Sequence, residues 1–293
     1  MTRSELAAGV LNYAQSGAAV YRRFVASGVE VDTFRTDPRP VQVRNARLLA
    51  TPLTLDTAGI AFVDHRSAVR DFFDTEEVAA VYPPEVEQIV RRLTGAQRAA
   101  SSGWMIRTSD DQDRERRRTS RYMAGKGGVQ PPASQVHVDQ DPARAARAAQ
   151  QLYARTFPDG PGLSRFISCS FWRAFSAPPQ DWPLALCDAA SVAPGEGIFN
   201  PIIFGDSIPD EAARQALLPN EGQLPAGSVF TFSPLHRWYY YPDMNRDEAV
   251  LFKFCDSDHS VAWRVPHTAF EDSAVRATSP RTSIEFRVTA FFE

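Results

Sequence analysis

Arg281-Thr282-Ser283-Ile284-Glu285-Phe286-Arg287-Val288-Thr289-Ala290-Phe291-Phe292 is the stretch that decides the fold. Thr282, Ile284, Phe286, Val288, Ala290 and Phe292 make one largely apolar face; Arg281, Ser283, Glu285, Arg287 and Thr289 make the other. A repeat of two is the signature of a strand, because successive side chains leave it on opposite sides. The apolar face suits a layer of helices. A polar face this long lies either in solvent or in a wet lumen.

Working back from that strand, the texture stays β to about Gln135. Phe166 to Phe175, Gly227 to Phe232, Arg237 to Tyr241, Ala249 to Phe254 and Trp263 to Phe270 all read as strands. Pro178-Pro179, Pro194-Gly195, Pro225-Ala226-Gly227, Pro242-Asp243 and Ser279-Pro280 punctuate them. Many strands at short spacing predict a sandwich or barrel. Helices are expected at Pro142 to Tyr153, with Asp141 as its cap, and at Asp210 to Leu217. The N-terminal third reads as mixed. Glu5 to Ala14 and Ala18 to Ala26 are expected to be helical, Val41 to Arg44 and Ile60 to Val63 to be short strands. Pro84 is expected to open a helix through Leu93. Residues 108 to 135 run polar, then Gly-rich, then Pro-rich, and predict a long loop or lid. Neither a Gly-rich phosphate loop nor a βαβ rhythm is present.

The chain has 293 residues, 43% hydrophobic content and a net charge of −3, the profile of an ordinary soluble globular protein. It lacks any run of about 18 apolar residues, so no membrane span is expected, and no signal peptide is visible. Cys169, Cys187 and Cys255 lie far apart without a CxxC, which suits a reducing cytoplasm and excludes a zinc ribbon. Of 32 basic residues only Lys126 and Lys253 are lysines. The basic run Arg114 to Arg121 is offset by Asp110, Asp111, Asp113 and Glu115, so a nucleic-acid footprint is not expected.

The chemistry sits in Val136-His137-Val138-Asp139. Residues two apart on a strand share a face, so imidazole and carboxylate can meet one ion. A distant histidine would complete a two-histidine, one-carboxylate facial triad, whose remaining positions stay open for co-substrate and oxygen on iron(II). His65, His236, His259 and His267 are the candidates. His267 is preferred because Arg281 and Ser283 follow it, and His236 is the alternative ligand. If the polar face of the last strand is a lumen, Arg281 offers a fork of donors for the far carboxylate of 2-oxoglutarate and Ser283 one more bond. Trp172, Arg173, Trp238 and Tyr240 are weaker pocket candidates. Trp172 and Arg173 are neighbours on one strand, so only one of them can face the lumen. Lys253 is read as a second carboxylate anchor or, more commonly, an outward-facing strand lysine.

With these residues assembled, the chain resembles the CmcJ/NvfI-like family of non-haem iron(II), 2-oxoglutarate-dependent oxygenases. That family includes a cephem 7α-hydroxylase component, AsaB-type hydroxylase/desaturases and a fungal endoperoxidase. Val136 to Gln140, Phe171-Trp172-Arg173, Gln180 to Asp188, His236 to Met244, Phe252 to Ser257, Pro266 to Phe270 and Pro280 to Glu285 carry the likeness, in family order. Leu11-Asn12-Tyr13 and Tyr82 to Glu85 extend it loosely towards the N-terminus. The resemblance implies a mainly β fold with flanking helices, a double-stranded β-helix of jelly-roll or cupin-like form over residues 136–293. Residues 1–107 would pack on it as a mixed support region, within one domain. It implies iron at His137, Asp139 and His267, 2-oxoglutarate at Arg281 and Ser283, and oxygen as the other co-substrate. The reaction implied is hydroxylation or desaturation of a small specialised metabolite by hydrogen-atom abstraction, with succinate and carbon dioxide as by-products. One departure stands out: around Ser102 to Arg107 the family tends to carry an Asp-His-containing strand, which this chain lacks. Competing readings are a same-fold iron isomerase or endoperoxidase, a zinc hydrolase with Glu285 as its base, and a non-catalytic β-barrel ligand-binding protein.

Overall fold

The computed structural model describes residues 4–26, 29–116, 128–272 and 278–293. Its core is two facing β-sheets. In the smaller one six strands lie side by side: Ile60–Asp64, Glu248–Asp256, Arg165–Ala174, Thr282–Phe292, Arg98–Thr108 and Val129–Gln130. The larger has ten. Its centre is Trp238–Tyr240, Leu184–Cys187, His267–Ala269, His137–Val138 and Ala226–Val229. Sequence neighbours are seldom sheet neighbours, the crossing pattern of a jelly roll.

Thr282–Phe292 lies inside the smaller sheet, antiparallel to both Arg98–Thr108 and Arg165–Ala174. Its apolar face does what its alternation predicts. Ile284, Phe286, Val288 and Ala290 pack with Val78, Tyr82, Val86 and Val90 of the helix Thr75–Thr94. Its polar face is largely shut off from solvent: Arg281, Ser283, Glu285 and Thr289 are buried and Arg287 is half-buried. Of solvent and a wet lumen, the face meets the lumen.

Pro84 does not open the helix it belongs to. Thr75–Thr94 begins nine residues earlier, where Asp74 accepts from the Glu76 and Glu77 amides, and ends at Gly95 in the left-handed region with φ 74. Pro83 and Pro84 both lie inside it. Each interior proline costs about 3 kcal/mol in lost bonding and clash. Burying Val78, Tyr82, Val86, Ile89 and Val90, at roughly 1.5–3 kcal/mol per large side chain, outweighs that.

The expected helices at Glu5 to Ala14 and Ala18 to Ala26 are also overturned. Leu6–Ala14 is a strand paired along its length with Thr36–Asn45, and Arg23–Ala26 is a strand paired with Val29–Asp32. Alanine-rich composition favours a helix locally, but Ala7, Leu11 and Tyr13 alternate with exposed Leu6, Ala8 and Val10, so tertiary pairing prevails. Gly9 is required there, since a Cβ would stand 2.5 Å from the Phe270 ring. These N-terminal strands extend the larger sheet. The expected loop at 108 to 135 contains a helical turn, Asp111–Arg116, and the short strand Val129–Gln130. Residues 117–127, the middle of the expected lid 108 to 135, lie outside the described residues. Pro142–Thr156 is a helix capped by Asp141 as expected, and Glu211–Gln215 is a shorter one than Asp210 to Leu217. Among the described residues no helix is long and apolar enough to cross a membrane.

Candidate metal centre

Sheet pairing brings the distant histidine to the pair. His267 lies directly opposite His137 across adjacent antiparallel strands, with ring centroids 4.3 Å apart. Asp139 follows at the end of the His137–Val138 strand. Its Oδ1 stands 3.0 Å from His137 Nε2 and 3.9 Å from His267 Nε2. Among the described residues this is the group of histidine and carboxylate atoms close enough to share one ion.

Each imidazole is oriented by its own backbone. His137 Nδ1 lies 2.6 Å from the Gln135 carbonyl and His267 Nδ1 3.1 Å from that of Val265. A carbonyl only accepts, so each Nδ1 carries the proton and each Nε2 lone pair is left free for an ion. Burial, with the neighbouring His137 ring, pushes His267 down to about 3, which keeps it neutral, the form a metal needs. Phe252 and Phe254 wall it in, with ring centroids 4.8 and 5.8 Å from its own.

Asp139 has a second tether. Arg287 donates to its Oδ2 at 2.8 Å, and Arg287 Nε donates at 2.8 Å to Glu285 Oε1. Burial alone would raise the Asp139 carboxyl, but the Arg287 guanidinium outweighs it and holds it well below the usual range. Glu285 goes the other way, raised by burial and by the Asp139 charge. Arg287 therefore occupies one carboxylate oxygen and leaves Oδ1 for an ion.

A cavity of about 310 Å³ opens on this group. Among its lining residues are His137, His267, Glu285, Trp172, Arg281 and Arg107. Arg281 is 2% exposed, donates at 2.6 Å to the Trp182 carbonyl and lies over the Trp172 ring at 5.6 Å. Its Nε has no hydrogen-bond partner, an unusual state for a buried guanidinium. Burial and the nearby Arg107 charge lower it to about 9. Its backbone amide is held by Ser109 Oγ and Asp181 Oδ1. Ser283 is fully buried and donates to the Arg107 carbonyl at 3.4 Å; it does not line the cavity. A second cavity, of about 490 Å³, shares Trp172, Leu184 and Arg281 as a wall and continues past Tyr240, Tyr241 and Met244.

The remaining candidates lie elsewhere. Arg173 points to the other side of its strand from Trp172, where it donates to the Tyr82 hydroxyl and to the carbonyls of His65 and Arg246. Trp238 is core, its indole donating to Tyr13 Oη at 2.9 Å. His236 bonds Tyr13 and Glu196 and is absent from the three-residue group. His259 stacks on Trp263. Lys253 neither faces outward nor reaches the cavity: fully buried, it donates to Asp256 and to the Ala262 carbonyl. Sequence reasoning missed Arg107 and the clamp on Asp139. The clamp was visible as Glu285 and Arg287 on the Arg281 face; nothing local marked Arg107.

The donor set fits a resident divalent metal. Two neutral imidazoles and one carboxylate oxygen converge, each oriented by a second bond, with open cavity on the remaining side. A buried guanidinium with an unpaired Nε, that of Arg281, belongs to the lining of the same cavity and fits a carboxylate-bearing co-substrate. Fold and site together define a metal-dependent oxidoreductase on a double-stranded β-helix. Comparison with known proteins agrees. The family described as "YDMC: Oxidoreductase/YMDC permease-like domain" matches residues 11–291. The hydroxylase/desaturase CTB9 of Cercospora beticola is 30% identical over 88% of this chain and 78% of its own length. The Fe(II)/2-oxoglutarate-dependent dioxygenase nvfI of Aspergillus novofumigatus is 28% identical over 92% of this chain and 90% of its own. A solved structure of the iron and alpha-ketoglutarate-dependent endoperoxidase NvfI superposes with a TM-score of 0.77 at 25% identity, covering 98% of each chain. The chain belongs to this family of iron(II)- and 2-oxoglutarate-dependent oxidoreductases.

Proposed function

We propose that His137, Asp139 and His267 hold iron(II), and that Arg281 grips the far carboxylate of 2-oxoglutarate while its keto acid end meets the metal. The observation that carries this reading is the convergence of two imidazole Nε2 atoms and one carboxylate oxygen beside a cavity that Arg281 also lines. Bound iron(II), 2-oxoglutarate and oxygen supply oxidative hydrogen-atom abstraction, leaving succinate and carbon dioxide. The protein's own residues orient and enclose. Arg287 pins Asp139 Oδ2, Phe252 and Phe254 exclude water around His267, and Trp172 forms the wall shared by the two cavities. Ser283 supports Arg281 by tying the last strand to Arg98–Thr108.

On this reading the substrate is a small specialised metabolite, and the outcome is hydroxylation or desaturation, the activity for which the CTB9 relative is named. Trp172 and Tyr240 line the larger cavity, an aromatic wall for an apolar substrate body. The enzyme works in the cytoplasm, in keeping with three free, buried cysteines. The test is anaerobic addition of iron(II) and 2-oxoglutarate, followed by oxygen and candidate substrates. A visible charge-transfer band and then succinate are expected. No band, with zinc retained against a chelator, would instead make this a zinc hydrolase.

A further inference from the structure

Arg107 is not part of the family likeness, which departs in its strand, and the reading above gives it no task. It lines the same cavity as Arg281, His137 and His267. It stands opposite Ser283 in the pairing of Arg98–Thr108 with Thr282–Phe292, two residues along from Arg281. Ser283 was the expected second donor, but its hydroxyl is turned to the Arg107 carbonyl and is fully buried. The Arg107 guanidinium is the group that reaches the cavity in its place.

Its partners leave it with unused donors. Nη1 donates to two neutral acceptors, the Pro131 carbonyl at 3.0 Å and Gln130 Oε1 at 3.4 Å. Its acidic neighbour among the described residues, Glu285, stands 3.7 Å from Nε, beyond hydrogen-bond length, and is already held at 2.8 Å by Arg287. Two arginines lining one cavity, whose one acidic lining residue among the described residues is already engaged, is an arrangement that invites an anion. The mutual repulsion is visible in Arg281, which burial and the Arg107 charge both push down.

We propose that Arg107 and Arg281 form a two-guanidinium clamp on the far carboxylate of 2-oxoglutarate, Arg107 filling the place expected of Ser283. The inference rests on the reading of this cavity as a 2-oxoglutarate site. An anion-bearing substrate is the other occupant that Arg107 would suit, and the experiment separates the two.

The probes are 2-oxoglutarate and 2-oxobutyrate, which share the keto acid end but differ in the far carboxylate. Each is titrated anaerobically into iron(II)-loaded protein, with no substrate present, and Kd is read from the charge-transfer band. Arg107→Gln is expected to raise Kd for 2-oxoglutarate by about tenfold to a hundredfold, in keeping with loss of a charge-assisted bond. Kd for 2-oxobutyrate is expected to stay unchanged, and Arg107→Lys to recover part of the loss. A Kd for 2-oxoglutarate within about twofold of wild type, with Arg281→Gln still weakened, overturns the clamp and assigns Arg107 to substrate. Equal weakening of both acids overturns it too, because the effect then runs through Glu285 to the metal ligands. Should Arg107→Gln fail to fold, an Arg107→Lys protein that prefers 2-oxoglutarate over 2-oxobutyrate no less than wild type, yet binds both as well, would count against the clamp. No band with either acid in the wild-type protein would fell the iron and 2-oxoglutarate reading itself, a failure distinct from that of the clamp.

Discussion

Asp139 shows how much of the proposed metal site lies beyond its candidate ligands. One oxygen faces the imidazoles and the other is held by Arg287, itself held by Glu285. Removing such a support commonly costs ten- to a hundredfold in metal affinity. Arg287→Met is therefore expected to bind iron(II) about that much more weakly, measured by competition with a chelator. An unchanged affinity would mean that Asp139 is held well enough by its own strand. His267→Ala is expected to abolish the charge-transfer band. His236→Ala should leave it intact, because His236 bonds Tyr13 and Glu196 instead. At this scale the sequence was largely legible. His-x-Asp brings two candidate ligands together, and Arg281 and Ser283 downstream pointed to His267, which the fold places beside His137 and Asp139. Arg107 was not legible, because its place opposite Ser283 depends on register between strands about 175 residues apart, which no local pattern encodes.

Among the elements, the helix Thr75–Thr94 and the residues that fasten it are the most testable. Asp74→Ala removes the cap on two amides and is expected to cost about 1 kcal/mol in urea unfolding. Tyr82→Phe leaves Arg173 Nε without its buried acceptor, at a cost of roughly 1–3 kcal/mol. His65 adds a pH dependence. Its Nδ1 accepts from Arg173 at 2.8 Å, and burial, then the Arg173 charge, lower its pKa from the ordinary value of 6.5. Above that value His65 is neutral in folded and unfolded chains alike. As pH falls below it, the unfolded chain takes up a proton that the folded one resists, so stability is lost on acidification. The stability advantage of wild type over His65→Gln should therefore shrink from pH 7.5 to 5.5. A constant gap across that range would show that His65 does not titrate between the two states. The same helix marks where element boundaries escaped the sequence. Pro84 reads as a start, and only the stripe buried against the last strand explains why the helix passes through Pro83 and Pro84.

Across the whole molecule, the two sheets are joined at the site: His137 and His267 stand on the larger, Arg281, Glu285 and Arg287 on or beside the smaller. A ligand touching both sheets ties them together. Manganese(II), as a redox-inactive stand-in, with 2-oxoglutarate at 100 times its Kd is expected to add about 2.7 kcal/mol to stability. In a thermal melt that is a rise of a few degrees, and it should vanish in Arg281→Gln when 2-oxoglutarate is the added ligand. A full shift in that variant would show that the far carboxylate is not held there.

The sequence by itself determined the strand alternation and the mainly β class, and it marked His137, Asp139 and His267 as candidate ligands, because each is written in residue type at a fixed local period or order. Tertiary structure alone decided the rest. It turned Leu6–Ala14 from a helical composition into a strand, buried the polar face of Thr282–Phe292 as a lumen, and set Arg107 beside Arg281. The physical reason is common to all three. A strand is stable only against a partner, and which partner it finds depends on pairing across the whole chain rather than on its own residues.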